Sequence, residues 1–566
     1  MAATTHGARP IVALGGIRLT AEIERLIRRV VVESDAQAPD GCRIELEDPD
    51  RTALERAGFA FHATITVKAG RTGEDTEQDL FEGRIYRMGL DYDERGAVTT
   101  IGAFDNSYTL YNGLHTVTYR DVTDADLARR IAQEVGLQAG RIESTPVVHE
   151  HVAQVNETNW DFLRRRAAEI DHEVRVVGSA LWFLPSAAAD EAPEPGTFAS
   201  TDRLQLTPGG NLEQFSARVT AAQQVTEIEV RGWDPQNKRE LVATAPARSR
   251  AATVADSPQQ LASGQGSPRH LTTWLPLGTQ AEVEAAAGAE AERIAGTAVH
   301  AEGIAKGDPR IVAGALISIG QAGAHFDGKY VITAARHVFG STGYRTHFTV
   351  SGRHDRSLYG LTNGKGVRAG PRSSGVVLGI VTNATDPEQL GRVKVAFPWL
   401  SDDFESHWAR VVHAGAGADR GLLLPPEVND EVLVAFEHGD SRRPFVLGGL
   451  YNGTDTPPFS GGVDAGNGTV ARRGLRSRKG HEIVVTDADG EERIELRTAD
   501  GKVRLLLDQA DGGVTIEAAA DVVIRAKRDL SLTADGRATI TAQQGLRLES
   551  AAGNVTLKGL MVELNP

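Results

Sequence analysis

Cysteine is almost missing from this chain: Cys42 is the one example in 566 residues. That excludes a disulfide within the chain, a cysteine-cluster zinc site and an iron–sulfur centre. Aromatic residues are sparse at 5%, which argues against an aromatic-lined pocket. Positive charge is in deficit, with 61 Lys and Arg against 76 Asp and Glu and a net charge of −15. So acidic a chain is a poor nucleic-acid coat. Long apolar runs are lacking too: the stretch 311–319 is far too short to span a bilayer. Residues 1–10 are polar and carry no signal-peptide apolar core. The expectation is synthesis in the bacterial cytoplasm, with any exit by a route other than a conventional signal. What is plentiful is glycine, 61 residues, as in a turn-rich β protein.

Period-two alternation at 43–47, 63–68 and 81–86 predicts short strands and a first barrel over residues 1–120. Residues 121–210 change character. Thr123-Asp124-Ala125-Asp126 reads as a helix start, followed by a stripe of Leu127, Ile131 and Val135 and a stop at Gly136. A second start at 156–159 leads into Trp160, Leu163, Ala167 and Ile170. Residues 185–195, rich in Ala, Pro and acid, read as a linker or exposed loop. A second barrel is expected over 211–352, with a long loop region at 236–278 and an Ala/Glu-rich helix at 280–298. Residues 353–374 read as a Gly/Arg/Ser linker, 375–452 as a five-stranded OB-like barrel, and 453–480 as a neck.

Residues 481–566 carry an internal repeat. Apolar couplets Val514/Ile516, Val522/Ile524, Leu530/Leu532, Ala538/Ile540 and Leu546/Leu548 recur every eight residues. Val555/Leu557 comes one residue late, and Val562/Leu564 restores the sixteen-residue phase. Each octad offers two apolar side chains on one strand face. Burying two side chains does not offset the entropy of fixing eight residues unless neighbouring strands cover the row and share its ladder. Eight residues are few for one chain to close a three-sided coil. Several chains wrapped together, each giving one face per layer, fit the period better; a stack of hairpins is the alternative. From Gly466 to Pro566 there are 15 basic and 15 acidic residues, so the expected rod is neutral and the net charge lies before it.

The order of parts resembles the VgrG family, the fused hub and spike proteins of contractile injection systems, related to phage tail hub and spike proteins. One carrier is Leu127-Ala128-Arg129-Arg130-Ile131-Ala132 with Gly136-Leu137, and then Asn159-Trp160-Asp161-Phe162-Leu163. Another is Gly328-Lys329-Tyr330-Val331-Ile332 through His337 and Gly343-Tyr344-Arg345-Thr346. The most specific stretch is the OB segment: Gly379-Ile380-Val381-Thr382-Asn383, Gly391-Arg392-Val393-Lys394-Val395, Pro398-Trp399, Trp408-Ala409-Arg410-Val411, Leu424-Pro425-Pro426-Glu427-Val428 and Arg443-Pro444-Phe445-Val446-Leu447-Gly448.

The resemblance implies a mainly β fold with minor α: tandem hub β-barrels with helices, an OB-fold barrel and a C-terminal intertwined trimeric β-helix or prism. It implies a homotrimer whose hub seats the inner tube and baseplate proteins, a PAAR-type tip protein, possible effector cargo and transient contact with a target membrane. The wording of the hub is closer to extracellular, phage-tail-like systems than to type VI secretion. Between OB segment and rod, 452–468 is too short for the lysozyme domain of the phage spike, and the chain stops after the last couplet. A mechanical part without catalysis, cofactor or metal is therefore expected. The trimer core is expected at Val514, Ile516, Val522, Ile524, Leu530, Leu532, Ile540, Leu546 and Leu548, and a tip-protein seat at Leu557, Leu560, Val562, Leu564 and Pro566.

Other motifs read blandly. His149-Glu150-His151 lacks the second histidine spacing of a zincin and reads as a surface strand. Gly415-Ala416-Gly417 lacks a third glycine and a following helix, so it reads as a loop. Gly364-Lys365-Gly366 has no phosphate-loop frame. His337 and Tyr344 read as packing residues. Arg472, Arg473, Arg476, Arg478 and Lys479 read as a solvated collar. The alternatives to the spike are a β-solenoid polysaccharide-degrading enzyme, which needs clustered carboxylates, and an OB-fold nucleic-acid-binding protein, for which Trp399 and Trp408 are available.

Overall fold

A computed structural model describes residues 8–71, 77–94, 96–197, 200, 202–234, 236–273, 275–352, 375–398, 400 and 403–563. The sequence-predicted linker 353–374, Trp399, Leu564 and Pro566 lie outside the described residues. The chain is mainly β, with few helices. It divides into two compact units, Met1–Asn452 and Gly453–Pro566.

In the first unit, eleven strands form one sheet. Its order is Leu212–Val219, Val299–Lys306, Gly343–Val350, Ala334–Gly340, Ile27–Asp35, Gly41–Glu47, Gly96–Phe104, Glu77–Asp93, Thr64–Arg71, Ala8–Leu14 and Ile17–Arg18. Strands of both predicted hub segments thus share one ladder. The join is antiparallel, with His337 opposite Val32 and Phe339 opposite Val30. Apolar alternation feeds a core on each side of it, around Val30, Ile44 and Ile101 and around Ile317, Tyr330 and Phe348.

Between these segments lies a helical insertion. The side chain of Thr123 accepts the Asp126 amide and Asp126 reaches back to Thr123, so a capping box opens the helix Asp124–Glu134. Thr158 likewise caps Asn159–Glu169. Leu127, Ile131, Trp160, Phe162 and Leu163 pack into one core with Val174, Leu181 and Phe183. The region 185–195 is not an exposed loop. Ala189 and Ala192 are buried, and the Ala189 amide donates to the Arg250 carbonyl.

Residues 236–278 are also more ordered than their breakers suggest. They form strand Arg239–Pro246, strand Ala252–Val254, helix Pro258–Ser263 and strand Arg269–Thr272. The first of these pairs with Glu227–Asp234. Helix Gln280–Ala295, capped by Thr279 and Glu282, covers that hairpin with Val283, Ala286 and Ala287. At Gly232 a Cβ would stand 2.6 Å from the Leu277 carbonyl oxygen, so only glycine admits that close approach.

The OB segment is a five-stranded sheet in the order Lys394–Ala396, Val376–Asn383, Glu431–Phe436, Pro444–Gly449, Arg410–Val411. Its core holds Val381, Val395, Phe397, Val432, Val434 and Val446 together with Ala153 from the insertion.

Candidate functional site

In the second unit the strands Arg472–Arg476, Glu482–Thr486, Arg493–Arg497, Val503–Asp508 and Gly513–Ala518 form an antiparallel meander in chain order. The register aligns the apolar couplets. Leu475 faces Ile483, Ile483 faces Leu496, Leu496 faces Leu505 and Leu505 faces Ile516. A second row runs Val485, Ile494, Leu507, Val514. Directly opposite residues point to one face, so two apolar rows cross the sheet.

These rows are open over much of their length, with Leu475, Val485 and Leu505 half-buried. Ile483, Ile494, Leu496 and Leu507 are 40–48% exposed, and Val514 and Ile516 are 62–68% exposed. The other face is the covered one. Val484 and Leu506 are 9% exposed, on the face that carries the ion pairs Arg497–Glu482 at 2.6 Å and Arg504–Glu495 at 2.8 Å. A one-sided sheet in water normally hides its apolar face. Here the polar face is the finished one and the apolar face lacks a cover.

Past Ala518 the ladder ends. The Ala519 amide donates to the Lys502 carbonyl, and among the described residues 520–563 there is no strand and no backbone-to-backbone hydrogen bond. Yet the couplets continue, and Val522, Ile524, Leu530, Leu532, Ile540, Leu546, Leu548, Leu557, Leu560 and Val562 are each more than half exposed. The structure therefore brings Val514 and Ile516 into the paired rows and leaves the later couplets without a strand ladder among the described residues of this unit.

The basic patch lies on the first strand of the meander and the turn after it, and it is engaged: Arg473 pairs with Asp487 and Arg476 with Glu482. His337 and Tyr344 are packing residues, hydrogen-bonded to each other at 2.9 Å, with Phe339 stacked on Tyr344. His149-Glu150-His151 lies on a strand, Val148–Glu157, but not a surface one. His149 and His151 are buried. His149 meets Asp124 and Arg166 and His151 meets the Glu405 backbone carbonyl, while Glu150 is largely exposed. No group of three or more metal-ligating side chains occurs among the described residues.

Sequence reasoning missed a buried charge network in the first unit. Arg166, 1% exposed, donates to Asp124 at 2.7 Å, and His149 lies 3.0 Å from the same carboxylate. Arg166 also contacts Glu169, which meets Arg442 of the OB segment at 3.3 Å; Arg442 in turn pairs with Asp440 at 2.7 Å. The guanidinium of Arg166 holds the Asp124 carboxyl well below the usual carboxylate range, against the opposing effect of burial. The available signal was a run of arginines, 164–166, on a helix whose other residues are core-formers.

Comparison with known proteins matches two stretches of the first unit. Residues 377–451 match the type VI secretion system/phage-baseplate injector OB domain. Residues 29–340, more than half of the chain, match the Alg8 N-terminal domain. The chain belongs to that family and is a VgrG-like spike/hub protein. The VgrG-like chain is 36% identical over 135 residues to the type VI secretion system spike protein VgrG1a of Pseudomonas aeruginosa, covering 22% of this chain and 20% of that one. It is 28% identical over 183 residues to the actin cross-linking toxin VgrG1 of Vibrio cholerae, covering 31% and 15%. The matches thus span a fifth or less of those relatives' lengths. The half-lidded Francisella PdpA–VgrG complex shares the fold, with a TM-score of 0.53 at 9% identity over 91% of this chain and 88% of the matched one.

Proposed function

We propose that this VgrG-like chain is the structural central spike and tube-nucleating hub of a contractile injection system, of the phage-tail-like kind. The supporting observation is the open pair of apolar rows, continued by exposed couplets over 520–563 that have no ladder partner among the described residues. Two further copies would supply both the missing cover and the missing hydrogen bonds, giving a trimeric rod with every strand edge paired. Val514, Ile516, Val522, Ile524, Leu530, Leu532, Ile540, Leu546 and Leu548 form its core in this reading.

The division at 1–120, 121–210, 211–352, 353–374, 375–452, 453–480 and 481–566 is part of the proposal, with the first segments as the platform for tube and baseplate proteins. Leu557, Leu560, Val562, Leu564 and Pro566 seat a PAAR-type tip, and the assembled particle carries effectors through a target envelope. Work comes from contraction and not from a reaction on this chain. Pull-down of a PAAR-type tip protein tests the seat: deleting 554–566 abolishes capture, and undiminished capture rules the seat out.

A further inference from the structure

The insertion and the OB segment meet at a second buried histidine. His151, 8% exposed, donates from Nε2 to the Glu405 backbone carbonyl at 3.1 Å; a carbonyl only accepts, so that nitrogen carries the proton. Nδ1 is also buried and has no partner among the described residues. On the OB side the ring meets Phe404 edge-on and the His407 ring at 5.9 Å between centroids. Ala153, two residues along the same strand, is part of the OB core. The junction thus combines apolar packing, the ion pairs Arg120–Glu405 and His407–Glu150 at its edge, and one buried neutral imidazole.

We propose that this junction is an acid-sensitive latch: it holds the OB segment against strand Val148–Glu157 at neutral pH and opens when His151 takes a second proton.

The surroundings are arranged against that proton. The charged groups around the ring are Arg120 from strand His115–Thr123, Lys394 from the OB sheet, and His407 from the loop before Arg410. All three disfavour a further positive charge. Of the nearby carboxylates, Glu405 is already held by Arg120, by Lys394 at 3.5 Å and by the Thr382 hydroxyl at 2.8 Å. His407 is itself paired with Glu150 at 3.0 Å and faces Arg392, Lys394 and Arg443. His149, one turn of the strand away, belongs to the Asp124–Arg166 network. A second proton on His151 would create an Nδ1–H with no acceptor among the described residues, buried near Arg120 and Lys394.

Burial, more than those cations, pushes the imidazole down to about 4. The opened junction returns it to its ordinary value, near 6.5. Because the open form binds the proton better, closure is complete above the ordinary value. It is lost progressively as pH falls from there toward the depressed one. At pH 5 the open fraction rises by about tenfold or more.

Hydrogen exchange of the full chain at pH 7.5 and 5.0, corrected for intrinsic rates, tests this. Peptides over 148–157 and 404–411 should exchange at least tenfold faster at pH 5.0, while a peptide over 64–70 in the large sheet stays unchanged, which separates local opening from global loosening. His151→Gln keeps an N–H for the Glu405 carbonyl but takes no proton, and it should stay equally protected at both pH values. Equal protection of the unaltered chain at both pH values overturns the proposal, as does a His151→Gln chain that opens like the unaltered one. Should that variant fail to fold, His151→Asn, which likewise takes no proton, should stay equally protected at both pH values; an acid-induced increase like that of the unaltered chain overturns the proposal.

Discussion

Leu496 stands directly opposite Leu505 in the antiparallel ladder of the second unit, and both belong to an apolar row that the described residues of that unit leave partly open. This single pair states the physical problem the VgrG-like chain poses. The ladder fixes the register, the register aligns the couplets, and the aligned couplets make an apolar stripe that needs a partner.

The stripe predicts a charge-sensitive assembly. Ile516→Asp places a carboxylate in the row beside Leu505, where burial between copies leaves it unpaired. The variant is expected to shift a micromolar sample from the assembled form toward single chains in sedimentation velocity. Thr515→Asp, on the opposite face, leaves the distribution unchanged.

The buried Arg166–Asp124 pair predicts a loss on one-sided removal. Arg166→Met leaves Asp124 charged and buried beside a neutral side chain, which costs about 3–5 kcal/mol. Removing both charges together, as Arg166→Met with Asp124→Leu, recovers much of that. Denaturant titration of the two variants checks the difference, and equal losses contradict it.

Asp40 predicts a gain. Burial, reinforced by Asp105, pushes its carboxyl up to about 7, and Asp105 itself is pushed up to about 6, mainly by burial. A raised carboxyl weakens the fold where the unfolded chain ionises and the folded one resists. The penalty is absent below the ordinary carboxylate value and grows as pH rises toward 7. Asp40→Asn keeps the acceptor for the Asp35 amide at 3.1 Å. It should stabilise the first unit by about 1–3 kcal/mol at pH 8 and by almost nothing at pH 4. Thermal unfolding at both pH values gives the comparison.

What the sequence made legible was local. Thr123 and Thr158 announced their helices because a cap needs only the next three residues, and of the octad couplets Val514/Ile516 lies on a strand while those over 520–563 do not. The join of Ile27–Asp35 to Ala334–Gly340 was not legible, since two segments so far apart carry no shared local signal. Residues 236–278 looked like loop because Leu241, Ala243 and Ala245 make only a faint alternation. Helix Gln280–Ala295 completes it by covering that face. His149 and His151 looked superficial because polarity hides burial when the partners, Asp124, Arg166 and the Glu405 carbonyl, lie elsewhere in the chain. Val514 and Ile516 were placed on a strand as the repeat demands.

The mass of the purified chain in solution tests the central claim most directly. Sedimentation equilibrium at micromolar concentration should return three times 60.5 kDa, and deleting 519–566 should lower the association. A full-length chain that sediments as a single 60.5 kDa copy would contradict the account.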